Sequence, residues 1–183
     1  MNIQVIGEHS VDFSLLGKCP ANILDIGCRG FDFACRFGGE DVYSIDIDVC
    51  DGFRIPYYRL AISDRCGTCG IQRSDDPQAT RITEGKEIPM MTIPMFSKMV
   101  GVKHWDVIKL DIEGEEIRVL RSLPHPYATQ ITVEFHAHLG QTKEELDNLL
   151  DWLSGWYEIH NRIWEERHGA GYNYWDVLLI RKD

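Results

Sequence analysis

The sequence predicts an α/β fold: a mostly parallel sheet flanked by helices, with an antiparallel strand near one edge. Three observations carry this. Strand-like and helix-like patterns alternate from Asn22 to Leu153. Short apolar runs end in glycine or an acid: Ile23 to Ile26 before Gly27, Val42 to Asp46, and Trp105 to Leu110 before Asp111. The chain then finishes with two strand patterns in succession, Tyr157 to Trp164 and Asn173 to Ile180, joined by Gly169-Ala170-Gly171 as a hairpin.

The 183 residues suit one domain, 1–183, large enough for a real core. The net charge of −10, with 19 Lys and Arg against 29 Asp and Glu, repels phosphate backbones, and no basic cluster overrides it. Nucleic acid is therefore not an expected partner; a neutral or cationic small molecule or a carbohydrate meets no such barrier. No apolar run approaches a membrane span, and Met1 to Gly7 lacks the basic and apolar regions of a signal peptide. The expectation is a cytoplasmic protein without a membrane partner; the sequence does not specify its oligomeric state. Among six cysteines only Cys66-Gly67-Thr68-Cys69 has ligand-like spacing, without a second pair to complete a zinc site. It reads as a turn between two short strands carrying reduced thiols.

Residues 1–20 hold an apolar run, Ile3 to Ile6, and a candidate helix turn, Val11 to Leu16. They form a cap over the domain edge or over a cofactor. Asn22-Ile23-Leu24-Asp25-Ile26-Gly27-Cys28-Arg29-Gly30 reads as a buried first strand ending in a side-chain-poor turn, where a nucleoside-type cofactor approaches the backbone. A short helix over Phe31 to Phe37 follows, then a second strand, Val42 to Asp48. Asp46 lies 21 residues beyond Asp25, the offset at which a carboxylate accepts both ribose hydroxyl protons. The crossover after it, Val49 to Ile55, has little helical periodicity, so this helix is expected to be reduced or absent. The third strand is Tyr57 to Ile62. Residues 65–88 are expected to form a hairpin and loop excursion.

Ile88 to Ile93 is a candidate strand. Pro94 suits the first turn of a helix whose apolar face is Met95, Phe96, Met99 and Val100, read as core. Trp105 to Leu110 is a buried strand running into Asp111-Ile112-Glu113-Gly114, and Glu115 and Glu116 open a helix with inner face Ile117, Leu120 and Leu123. Pro124 and Pro126 stop it. Ile131 to His136 is the fifth strand. Thr142 and Glu145 have capping-box spacing ahead of Leu146, Leu149, Leu150 and Leu153 at helical period. Ligands of such sheets bind at the carboxyl ends of the strands. Gly27 to Gly30, Asp46, Ser63-Asp64, Asp111 to Glu113 and His136 all fall there.

These motifs resemble the FkbM family of S-adenosylmethionine-dependent methyltransferases, a Rossmann-like class I fold. Leu24-Asp25-Ile26-Gly27 with Gly30 resembles its cofactor loop, and Val42 to Asp46 its second strand, where the family usually ends in Glu. Leu60-Ala61-Ile62-Ser63-Asp64 resembles its adenine-side segment, and Val133-Glu134-Phe135-His136 its fifth-strand ending. Asp106 to Glu116, with Lys109-Leu110-Asp111-Ile112-Glu113-Gly114 at its centre, is similar to the most distinctive motif of the family. Order and spacing match over residues 22–136. In this chain the second glycine of the loop comes one residue early, and Cys28-Arg29 replaces smaller or amide residues. The resemblance implies a seven-stranded sheet and methyl transfer from S-adenosylmethionine, most often to a hydroxyl of a sugar or other natural product. It implies a cofactor site of Asp25, Gly27, Cys28, Arg29, Gly30, Asp46, Ile47, Ser63, Asp64 and Asp111.

A sulfonium methyl is already electrophilic, so the task is to place an acceptor oxygen in line and take its proton. Asp111 is the leading candidate base, with Glu113 and His136 beside it. The null roles are a helix cap for Glu113, a core position for His136, and pairing of Glu134 with Lys109. An Asp/Glu/His group at adjoining strand ends is alternatively a divalent-cation site that lowers the acceptor hydroxyl's pKa. The aromatic group Trp164, Tyr172, Tyr174 and Trp175 is packing or an acceptor platform. Two other functions compete: a non-catalytic cofactor-binding module, and an NAD-dependent oxidoreductase, which needs a fuller glycine turn than Gly27-x-x-Gly30.

Overall fold

The computed structural model describes residues 1–17, 21–28, 32–37, 41–48, 56–73, 80–166 and 173–183, with the backbone alone for 161–166, 173 and 174. The chain opens with an antiparallel hairpin, β1 (Ile3–Ile6) and β2 (His9–Asp12), and a 3-10 turn at Phe13–Leu15. Then come β3 (Ile23–Ile26), α1 (Asp32–Phe37), β4 (Val42–Asp46), β5 (Tyr57–Arg59), β6 (Ala61–Ile62), β7 (Gly67–Gln72) and β8 (Arg81–Met91). The remainder is α2 (Ile93–Val100), β9 (Trp105–Leu110), α3 (Glu116–Ser122), β10 (Ala128–His136), α4 (Lys143–Leu153), β11 (Tyr157–Glu166) and β12 (Asn173–Arg181).

Seven strands form one mixed sheet in the order β11-β12-β10-β9-β3-β4-β5. The run from β10 to β5 is parallel, and β12 is antiparallel to both β10 and β11. The α/β expectation and the terminal hairpin are therefore met. The crossover at 49–55 and the Gly169 to Gly171 turn lie outside the described residues.

Four expectations need correction. Only Phe13–Leu15 of the supposed helix turn is helical, because Val11 and Asp12 belong to β2. The third strand is split: Tyr57–Arg59 pairs with β4, while Ala61–Ile62 leaves the main sheet and pairs with β8. The hairpin expected within residues 65–88 is present, but its second strand runs on to Met91; the segment 74–79 between its strands lies outside the described residues. β7 and the eleven-residue β8 pair antiparallel, and with β6 they make a second, three-stranded sheet. Gly70 and Gly85 read as loop punctuation, yet they permit a close crossing: a Cβ on Gly85 would lie 2.7 Å from the Gly70 Cα. Cys69 is thus a buried residue of β7 rather than part of a turn, and Cys66 and Cys69 are both free thiols.

The fourth correction concerns α2. Thr92 caps it by accepting from the Met95 N–H at 3.3 Å, and Pro94 sits in its first turn. Its inward face is Ile93, Phe96 and Ser97; Met95 and Met99 are 49% and 52% exposed. The methionines flank the buried stripe instead of forming it. In α4 both capping-box bonds form, and Leu146, Leu149, Leu150 and Leu153 are buried as expected.

The main sheet has two unlike faces. Leu24, Ile26, Ile108, Leu110, Ile131, Val133 and Phe135 join α2, α3 and α4 in the large apolar core. On the other face of β10 stand Gln130, Thr132, Glu134 and His136, all buried. A central parallel strand is normally apolar on both sides. Here the polar side is covered by the opening hairpin. The Ser10 N–H donates to Thr132 Oγ1 at 3.2 Å, the Asp12 N–H donates to Gln130 Oε1 at 2.7 Å, and Gln130 Nε2 donates to the Asp12 carbonyl at 3.0 Å.

Candidate active site

The carboxyl ends of β3 and β9 meet around the buried Lys109 ammonium. Asp25 and Lys109 are register partners on neighbouring strands. Lys109 Nζ lies 3.3 Å from Asp25 Oδ1 and 3.3 Å from Asp111 Oδ2, and donates to the Gly27 carbonyl at 2.6 Å. Burial works against its charge, but Asp25 and Asp111 outweigh burial and hold the ammonium above its ordinary pKa. One lysine thus ties the first strand, the turn after it and the acid ending β9 together. Asp25 itself is fully buried beneath the turn, and Glu134 is not the partner of Lys109 among the ion pairs found.

Gly27 takes φ +79°, and its N–H donates to the Ile45 carbonyl at 2.9 Å. The turn therefore hangs on β4 while passing over the end of β9. Cys28 is buried behind it; Arg29 and Gly30 lie outside the described residues. Asp46 is half-buried at the end of β4, where burial raises its pKa, and its Oδ1 accepts from the Asp48 N–H at 2.9 Å. The Ile47 carbonyl accepts from Arg59 Nε at 3.3 Å. Ser63 is buried and donates to Glu115 Oε2 at 2.7 Å, whereas Asp64 is exposed beside Arg65.

Asp111, Glu113 and His136 converge. His136 Nε2 is 3.5 Å from Asp111 Oδ1, 3.5 Å from Glu113 Oε1 and 3.7 Å from Glu134 Oε2. Its Nδ1 is 2.8 Å from Glu116 Oε1. Burial disfavours the imidazolium, but Glu116, Asp111 and Glu113 outweigh it and push the His136 pKa up to about 10. Burial likewise opposes ionised Asp111; Lys109, His9 and His136 reverse that and hold its carboxyl far below the usual range. At neutral pH His136 is a donor, and Asp111 is a weakly basic carboxylate. Glu113 sits at φ +54°, so the chain turns there instead of staying extended. The turn aims Glu113 into a cleft of about 370 Å³ lined also by Gln72, Arg81, Glu115, Arg118 and Gln141.

Two contributors escape a reading of the sequence. Glu116 appears there as a charge at a helix start, yet it is fully buried. It accepts from the Ile112 N–H at 3.0 Å, the Gly114 N–H at 3.1 Å and Gln141 Nε2 at 2.6 Å. His9 comes from the opening hairpin, 4% exposed, with Nε2 3.6 Å from Asp111 Oδ2. Burial lowers its pKa and keeps it neutral. Nothing in the sequence links His9 to Asp111 102 residues later; the nearest signal is the alternation of buried polar residues in β10, which calls for a polar cover. Two groups of potential metal ligands share Asp111: His9 with Glu134, and Glu113 with His136. Of the aromatic group only the Trp175 side chain is described, and it is buried.

The profile of the methyltransferase FkbM domain matches residues 32–174, more than three quarters of the sequence. The chain belongs to the FkbM methyltransferase family. The match spans Asp46, Ser63, Asp64, Asp111, Glu113 and His136, and begins after His9, Asp25 and the Gly27 turn. No curated protein matches the chain. Among the described residues no helix is long and apolar enough to cross a membrane.

Proposed function

We propose that this chain is a class I O-methyltransferase that uses S-adenosylmethionine and acts on a hydroxyl of a sugar or other small polar acceptor. The observation that carries the reading is the convergence of the Gly27 turn, Asp46 and the Asp111–Glu113–His136 group at one edge of the sheet. The strand order, with a lone antiparallel β12 between β10 and β11, supports the class I assignment.

The residues present fit the methyl donor. Asp46 puts a half-buried carboxylate at the end of β4, beside the Gly27 turn, whose N–H is held by the Ile45 carbonyl of the same strand. Asp46 would take the ribose hydroxyls, with Ile47 and Asp64 on the adenine side and the Gly27 turn at the amino-acid end. The donor supplies an electrophilic sulfonium methyl. Ser63 acts at one remove, fixing Glu115 at the start of α3.

The acceptor enters by the cleft that Glu113 lines. Arg81, Arg118, Gln72 and Gln141 offer donors suited to a hydroxylated molecule. Asp111 and Glu113 orient the reacting hydroxyl. Asp111 would hold the hydroxyl in place and Glu113 would receive its proton as the acceptor oxygen takes the donor's methyl.

Calorimetry with S-adenosylmethionine tests the donor. Saturable binding should weaken at least about tenfold in Asp46→Ala, with an unchanged circular dichroism spectrum. Incubation with isotopically labelled donor and a panel of sugars should yield an O-methylated product. Absence of donor binding by the folded wild type overturns the reading.

A further inference from the structure

Two carboxylate oxygens, Asp111 Oδ1 and Glu113 Oε1, each stand 3.5 Å from His136 Nε2, farther than a normal hydrogen bond, and the three side chains form one group of potential ligands. Such separations are those between ligands of one small ion, since bonds of about 2.0–2.2 Å at tetrahedral angles set ligand atoms roughly 3.3–3.6 Å apart. The far nitrogen of the ring is already engaged by Glu116 Oε1 at 2.8 Å. Glu116 is itself immobilised by the Ile112 and Gly114 N–H groups and Gln141. A carboxylate on the second nitrogen is the support that sets tautomer and aim in a metal-bound histidine.

A second observation points to the same place. His9 is 4% exposed, its Nδ1 has no hydrogen-bond partner, and its Nε2 turns to the other oxygen of Asp111 at 3.6 Å.

We propose that His136 Nε2, Asp111 Oδ1 and Glu113 Oε1 bind one divalent cation. The Oδ1 side of Asp111 is the place for it, because the Lys109 ammonium lies 3.3 Å from Oδ2 and would repel an ion there. One imidazole with two carboxylates and no thiolate suits a cation such as Mn2+ or Zn2+. His9 stands at the rim and holds the shared aspartate. In the methyl-transfer reading, on which this role but not the binding rests, an acceptor hydroxyl on an open position of the ion loses its proton more readily. Asp111 and Glu113 then serve as ligands, and the proton leaves through the cleft.

Chelator-stripped protein is titrated with MnCl2, and separately with ZnCl2, by calorimetry without methyl donor, and bound Mn2+ is followed by electron paramagnetic resonance. One saturable site is expected. Glu113→Gln and Asp111→Asn should each weaken it at least about tenfold with the fold retained by circular dichroism. Glu158→Gln, a surface carboxylate on β11, should leave it unchanged. No saturable binding of either ion, or undiminished affinity in both ligand variants, overturns the site. Metal binding that persists while S-adenosylmethionine fails to bind sinks the methyl-transfer reading and leaves the site standing. Methyl transfer unchanged by chelation removes the ion's role in the reaction.

Discussion

Gly27 packs directly on the backbone of Asp111, with no room for a side chain between them: a Cβ on Gly27 would lie 1.7 Å from the Asp111 carbonyl oxygen. The turn after the first strand and the acid that ends β9 are therefore one structural unit, although 84 residues separate them.

Gly27→Ala should cost more than about 3 kcal/mol, because the clash is with backbone and φ +79° adds strain. Gly17→Ala, where nothing lies within 4 Å, should stay within about 0.5 kcal/mol. Thermal melts of both variants check this. A Gly27→Ala protein as stable as wild type would contradict the close approach.

Lys109→Met should destabilise by about 3–5 kcal/mol, since it strands the fully buried Asp25 carboxylate. Adding Asp25→Leu should recover a large part of that loss. Denaturant unfolding of the two variants gives the comparison. A double variant worse than the single one would show that Asp25 is held by other means.

Asp12 anchors the opening segment by accepting from the Asn2 N–H at 2.7 Å, the Ser14 N–H at 2.9 Å and Ser14 Oγ at 2.6 Å. Burial is the largest single influence and opposes its charge, but these donors together outweigh it and lower its pKa from the usual value. A carboxyl depressed on folding stabilises above its unfolded pKa and loses that contribution as pH falls through the folded value. Asp12→Ala should thus cost about 1–2 kcal/mol at pH 7, with the gap to wild type narrowing below about pH 3.5. Melting temperatures across an acid series test it; a constant gap would assign the loss to packing.

Phe96→Ala should cost about 3–5 kcal/mol, whereas Met99→Gln on the same helix should stay within about 0.5 kcal/mol. Phe96 is fully buried and Met99 is 52% exposed. Chemical denaturation separates the two. Equal losses would restore the methionine face to the core.

Those positions also show what was legible in the sequence. β3, β4 and β9 could be read because apolar runs ended in glycine or acid, and β10 because β-branched and aromatic residues recur from Ile131 to His136. α4 could be read because its capping box and leucine period agree. The Met95/Met99 stripe misled because apolar composition at helical spacing does not say which edge faces inward; Ile93 and Ser97 complete the buried face. The full length of β8 was missed because Glu84, Gly85, Lys86 and Glu87 look like loop, although they are exposed positions of an eleven-residue strand. At the site, Asp111, Glu113 and His136 were visible from their strand ends. Glu116 and His9 were not, since the first looked like a helix-dipole charge and the second depends on a contact across the chain.

The hairpin's bonds to β10 have a consequence for how the protein folds. Ser10 and Asp12 reach partners 122 and 118 residues away. Contacts so distant in sequence carry the largest loop-closure cost and form slowly. In the folded protein the opening hairpin closes the polar face of β9 and β10, and the same segment brings His9 to Asp111. Removing the first residues of the sequence should open that face to water, so the charged centre depends on a segment far from it in the chain.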